Sequence, residues 1–163
     1  MLGDFMVNYW LMKSEPHVYP WSQLVEDKST HWDGVRNYQA RNFMRDDMKI
    51  GDGILFYHSS SDPLAIMGLA KVVREGYPDS TALDLNSIHY DAKSTEDNPI
   101  WYMVDIKAEK EFEEPITRDE LKNTTGLEDM MLLQRGSRLS IQPVSLLQWQ
   151  IITNIAANKG SGK

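Results

Sequence analysis

Val7, Tyr9 and Leu11 alternate along the chain with Asn8, Trp10, Met12 and Ser14. That period of two predicts a strand over Val7–Lys13 with a separate set of side chains on each face. Pro16 and Pro20 follow and end it. Ser22 offers an N-cap for a short helix over Ser22–Glu26, and Asn37–Arg45 suits a second. Gly51-Asp52-Gly53 is a turn into a strand, Ile54–His58, and the run after Asp62-Pro63, Ala65–Arg74, leans strongly to β. Trp101–Glu109 alternates cleanly, with Tyr102, Val104, Ile106 and Ala108 on one face. Thr117-Arg118-Asp119-Glu120 fits a capping box and opens a helix through Lys122. Leu127–Leu133 reads as a short helical segment and Arg138–Ile141 as a short strand. Pro143 suits a first helical turn, after which Val144, Leu147, Ile151 and Ile155 keep helical spacing. Strands and short helices mix without a βαβ rhythm, so an α+β fold around a small curved or closed sheet is expected.

Composition narrows this picture. The chain has 163 residues, about one domain, with the core expected over roughly residues 8–152. The residues before Val7 and the stretch Lys159–Lys163 read as loose ends. Hydrophobic residues make up 41% and charged residues 25%, enough to build one core without staples. The absence of cysteine excludes disulfides, thiol nucleophiles and thiolate metal sites. No apolar run approaches the ~20 residues of a membrane span, and the N-terminus lacks a secretory pattern. A cytoplasmic protein, or a nuclear one in a eukaryote, is expected.

The net charge is −7, which argues against sequence-blind adhesion to a nucleic-acid backbone or an anionic membrane. The charge is uneven. Arg36, Arg41, Arg45 and Lys49 gather with only Asp46 and Asp47 among them, whereas acids dominate from Asp105 to Glu120. Glu109–Glu114 is most simply a solvated face. Phosphate-binding glycine loops and nucleophile elbows are missing. His17, His31, His58 and His89 lack metal-ligand spacing, so no metal and no cofactor are expected.

Four stretches carry polar chemistry. Lys13-Ser14-Glu15-Pro16 places a cation, a hydroxyl and a carboxylate at a strand end, where sites gather as readily as caps. Trp32-Asp33-Gly34-Val35-Arg36-Asn37 sets a flat ring beside a turn, followed by an Arg fork and an Asn amide. Such groups stack on bases and read their edges, or form a buried tryptophan with surface ion pairs. Tyr57-His58-Ser59 ends a strand and lines a pocket mouth or simply starts a serine-rich turn. Arg135-Gly136-Ser137-Arg138-Leu139-Ser140 is a phosphate contact or a helix C-cap. The Val144–Ala157 segment carries no charge and is an internally packed helix or a dimer face.

Taken in order, YWLMKSEP, WDGVRNYQARN, GDGILFYHSS, DNPIWYMVDIKA and LLQRGSRLSIQPV resemble the EVE domain family, a branch of the PUA-like superfamily that includes many small bacterial proteins. The resemblance runs from about Asn8 to about Ile152. It implies a mostly antiparallel, barrel-like sheet with short peripheral helices, and a relationship to YTH domains, which hold a methylated adenine in an aromatic cage. It implies a non-enzymatic module that binds DNA or RNA carrying a modified base; a monomer or weak homodimer is expected. By the same resemblance the pocket comprises Lys13, Ser14, Glu15, Trp32, Gly34, Val35, Arg36, Asn37, Tyr57, His58, Ser59, Arg138 and Ser140, with Trp32 as the stacking platform and Arg36 and Asn37 as edge readers. Trp10 and Trp101 are the aromatics available to complete it. Two other readings stand beside this one: an enzyme acting on a modified nucleobase with Glu15 or His58 as acid/base, and a protein–protein module using the uncharged C-terminal helix.

Overall fold

The computed structural model describes residues 6–161. The expected loose ends at residues 1–5 and 162–163 lie outside the described residues. Lys159 is not loose: it sits in the last helix and its Nζ donates to the Pro115 carbonyl at 3.0 Å and to Glu120 Oε1 at 2.8 Å.

Six strands form one sheet: β1 (Tyr9–Ser14), β2 (Ser29–His31), β3 (Gly53–His58), β4 (Ala65–Pro78), β5 (Tyr102–Thr117) and β6 (Ile141–Val144). Their order is β2-β5-β4-β3-β1-β6. β1 and β3 pair in parallel and every other pair is antiparallel. β4 and β5 slip register several times along their length, and each slip bends the ribbon. The sheet stays open, with β2 and β6 as its edges, so the closed alternative is corrected to a bent, open sheet.

Alternation along the central strands builds two cores. Trp10 and Met12 of β1 join Ile54 and Phe56 of β3 in one cluster, while Leu11, Leu55 and Tyr57 join the other. Helix α1 (Trp21–Asp27) covers the first cluster through Trp21 and Leu24. Gly68 makes this fit: a Cβ there would lie 2.5 Å from the Trp21 ring and 2.6 Å from the Lys110 carbonyl. Helix α2 (Tyr38–Asn42) continues into a wide π turn, Phe43–Asp47. Helix α3 (Arg118–Lys122) opens on the expected capping box, with both arms made. Helix α4 (Leu146–Ser161) lies against the second cluster through Trp149, Ile152 and Ile155.

Several boundaries differ from the pattern reading. α1 starts at Trp21 after Pro20, and Ser22 does not cap it. β5 runs on through the acidic stretch because Phe112 and Ile116 are buried there among solvent-facing acids. The segment Leu127–Leu133 forms only a 3₁₀ turn at Met131–Leu133. Residues 138–140 are loop, and the strand begins at Ile141. Pro143 sits inside β6 rather than in a helix, as an edge strand tolerates. The capping box of α4 is made by Ser145 and Gln148, each donating its backbone N–H to the other's side chain at 3.0 and 3.1 Å. The buried stripe of α4 is therefore turned away from Leu147, which is 60% exposed.

Candidate functional site

β1 ends at Ser14, and the chain doubles back through a turn in which Val18 and Tyr19 donate to the Glu15 carbonyl, both at 2.9 Å. The Ser14 hydroxyl donates to the Tyr19 carbonyl and locks that turn. β2 then leads into residues 32–37, pinned to the sheet where the Trp32 N–H donates to the Val104 carbonyl at 2.7 Å. Between these two segments opens a cavity of about 660 Å³, within the ~300–1,000 Å³ range of small-molecule sites.

One wall is braced by a buried carboxylate. Asp79 Oδ2 accepts from the Gly34 N–H at 2.8 Å and from Arg36 Nη1 at 3.0 Å; Oδ1 accepts from the Thr81 N–H at 2.8 Å and the Thr81 hydroxyl at 2.6 Å. Burial alone would raise the Asp79 pKa, but these donors outweigh it and hold the carboxyl below its ordinary 3.8. Arg36 spends its remaining donors on the Val35 carbonyl, the Thr81 hydroxyl and, twice, the His89 carbonyl, at 2.6–3.3 Å. All five guanidinium N–H groups are thus taken. Gly34 has φ +79°, and a Cβ there would lie 2.6 Å from the His89 ring, so the loop closes on His89 only with glycine.

Part of the lining is aromatic. The Trp32 ring stands edge-on to Phe56 at 5.7 Å and to Tyr19 at 6.0 Å. Trp10, Trp21 and Trp101 donate their indole N–H groups to Asp52, Glu111 and Asp91. Among the described residues the indole N–H groups of Trp32 and of Trp149 make no hydrogen bond. Asn37 caps α2, its Oδ1 accepting from the Ala40 N–H at 2.9 Å, which leaves the amide donors of an exposed side chain available.

Of the residues expected from sequence, Lys13, Ser14, Glu15, Trp32, Gly34, Val35, Arg36, Asn37 and Ser140 line this one cavity. Lys13 reaches the Ser137 carbonyl at 3.4 Å, and burial followed by the Arg118 charge lowers its pKa. The other expected residues are placed elsewhere. Tyr57 is buried in the second core, its hydroxyl pKa raised by burial. His58 Nε2 accepts from the Trp21 N–H at 3.0 Å, an acceptor role that burial reinforces by lowering the imidazole pKa. Ser59 donates its N–H to the Ser14 carbonyl, and Arg138 is exposed outside the cavity lining. Trp10 and Trp101 are buried, and Trp101 instead lies 5.3 Å beneath the Arg36 guanidinium. Glu15 lines the cavity and pairs with His17 at 3.0 Å, whereas His58 is not in the lining. Arg41 donates to the Ile100 carbonyl and Arg45 pairs with Asp46, both serving the fold.

The cavity also takes in residues not assigned to the site from sequence: Val18, Tyr19, Thr30, His31, Asp33, Ile88 and His89. Tyr19 supplies the second ring that Trp10 and Trp101 do not. Its signal was an aromatic in the proline-bounded turn after Lys13-Ser14-Glu15-Pro16. The cavity lining therefore includes aromatic rings, the Asn37 amide and the carboxylates of Glu15 and Asp33, each beside a histidine (His17 at 3.0 Å and His31 at 3.6 Å). That set suits a flat heterocycle with donors and acceptors on its edge. Among the described residues no cluster of metal ligands is found.

The EVE domain model matches residues 8–155. The chain is 42% identical over 176 residues to thymocyte nuclear protein 1 of Rattus norvegicus, covering 94% of this chain and 75% of that protein. A solved protein of Pseudomonas syringae superposes with a TM-score of 0.86 at 45% identity, over 91% of this chain and 99% of its own. Human thymocyte nuclear protein 1, solved in complex with DNA containing 5-methylcytosine, superposes with a TM-score of 0.82 at 40% identity, over 91% and 97% of the two chains.

Proposed function

The chain belongs to the EVE domain family, and from that premise we propose that it is a non-enzymatic reader of DNA carrying a modified base, enclosing one extruded base in the Trp32 cavity. The observation that carries this reading is the Trp32 ring, whose indole N–H makes no hydrogen bond among the described residues, in the lining of a cavity rimmed by donors and acceptors. The human relative's complex with 5-methylcytosine DNA supports the ligand class. In this role the base stacks on Trp32. Asn37 and the Trp32 N–H donate to its edge, and Asp33 accepts from an exocyclic amine such as that of cytosine. Arg36, whose donors are all committed, holds the wall in shape instead of reading the base. One cavity per chain serves one base, so a monomer suffices.

Magnitudes set the expected affinity. Stacking contributes ~1–3 kcal/mol and a matched edge contact another ~1–3 kcal/mol, against a few kcal/mol to extrude the base from a duplex. A body of net charge −7 adds little backbone attraction, so binding is weak and falls with salt. Titrating 5-methylcytosine DNA, its unmethylated twin and the matching RNAs tests the reading. Wild type is expected to prefer the methylated DNA, and Trp32→Ala to lose both affinity and preference. Equal affinity of wild type for all four sinks it.

A further inference from the structure

We propose that Ile88 is a wedge that fills the gap left in a duplex when the base enters the cavity. The proposal rests on the base-reading role above. Ile88 lines the cavity yet is 93% exposed, the highest value among the exposed large apolar residues. Its exposure is not that of a slack loop. The next residue, His89, gives its carbonyl to Arg36 Nε at 3.1 Å and Nη2 at 2.6 Å. On the other side the Ser87 N–H donates to the Asp84 carbonyl at 3.0 Å, and beyond, the Asp91 N–H donates to the Ala82 carbonyl at 3.0 Å. Asp91 also holds the Trp101 indole at 2.7 Å. A frame tied at so many points keeps a β-branched side chain of few rotamers aimed out of the protein beside the cavity.

An extruded base leaves apolar ring faces without a neighbour. Proteins that open base steps fill such gaps with Ile, Leu, Phe or Met side chains. The Asp79–Arg36–His89 network couples the two parts: the groups that shape the cavity wall also hold the loop that carries Ile88. Leu85 lies on the same loop, is 78% exposed, and does not line the cavity. It therefore serves as an internal control for a general apolar patch.

The test measures Kd for one 5-methylcytosine sequence as duplex and as single strand, with wild type, Ile88→Ala, Leu85→Ala and Trp32→Ala. Both aliphatic positions are solvent-exposed, so their truncation leaves the core untouched. The wedge predicts that Ile88→Ala weakens duplex binding roughly tenfold more than it weakens single-strand binding, while Leu85→Ala changes neither. Trp32→Ala is expected to lose both. Equal loss on the two substrates, no loss, or a Leu85→Ala loss equal to that of Ile88→Ala overturns the wedge while leaving the reader standing. Wild-type binding to the single strand alone also overturns only the wedge. Wild-type indifference to methylation on both substrates overturns the reader and the wedge together.

Discussion

Two buried aspartates organise two different parts of the molecule. Asp52 accepts from the Asn8 N–H at 3.1 Å, the Trp10 indole at 2.9 Å and the Lys49 N–H at 2.9 Å. No side-chain cation takes part, and the groups around it close on themselves. Asp79 is as deeply buried but holds Arg36 and a left-handed glycine at the edge of an open cavity. Near Asp52 the tryptophan N–H is consumed by the fold; beside the Asp79 wall the Trp32 N–H is left over. The difference lies in what is left over: the Arg36 charge is spent on shape, and the cavity lining keeps neutral donors, a ring and the carboxylates of Glu15 and Asp33.

Removing each carboxylate breaks the comparison most severely. Asp79→Ala leaves a mostly buried guanidinium without its counter-charge and should cost about 3–5 kcal/mol of stability, with loss of DNA binding. Asp52→Ala leaves three donors without an acceptor, at about 1–3 kcal/mol each if they stay buried, and any fraction that remains folded should bind normally. Denaturant midpoints and titration of the folded fractions check both. Normal binding by Asp79→Ala would contradict the role given to the wall.

A smaller effect separates two left-handed glycines. Gly136 has φ +77° with nothing within 4 Å of a Cβ, so Gly136→Ala should cost only backbone strain, about 1–2 kcal/mol. Gly34→Ala adds the contact with His89 and should cost more, with weaker ligand affinity. Equal costs in urea unfolding would mean that the Gly34–His89 closure is not tight.

The smallest effect is on pH. Burial lowers the His58 pKa below its ordinary 6.5 in the folded state. The unfolded chain therefore takes up this proton first as pH falls. The His58 contribution is complete above pH 6.5 and is lost as pH drops from there toward the lowered folded value. Asp79 acts further down: its contribution is present above 3.8 and lost as pH falls toward its depressed value. Unfolding followed between pH 7 and about 5 should show a slope that shrinks in His58→Asn.

The central strands were legible because their period of two is local: Trp10 and Met12 on one face, Leu11 on the other. The segments around Lys13-Ser14 and Trp32–Asn37 were legible as polar chemistry beside turns, and they do meet at one cavity. What Arg36 does was not, because its partner Asp79 is 43 residues away and no local pattern ties a guanidinium to a distant carboxylate. The Tyr57-His58-Ser59 trio failed for a related reason. Alternation sends Tyr57 to the far side of the sheet, and α1 claims His58 through its first N–H. Pro143 misled because a proline fits an edge strand as well as a first helical turn.

The most direct measurement follows the indole N–H signals of the five tryptophans by NMR while DNA containing 5-methylcytosine is added. The Trp32 signal is expected to move with the methylated DNA and to stay with the unmethylated one, while the Trp10 signal, locked on Asp52, remains in place. A Trp32 signal that never moves while Trp10 or Trp149 shifts would contradict the role given to Trp32.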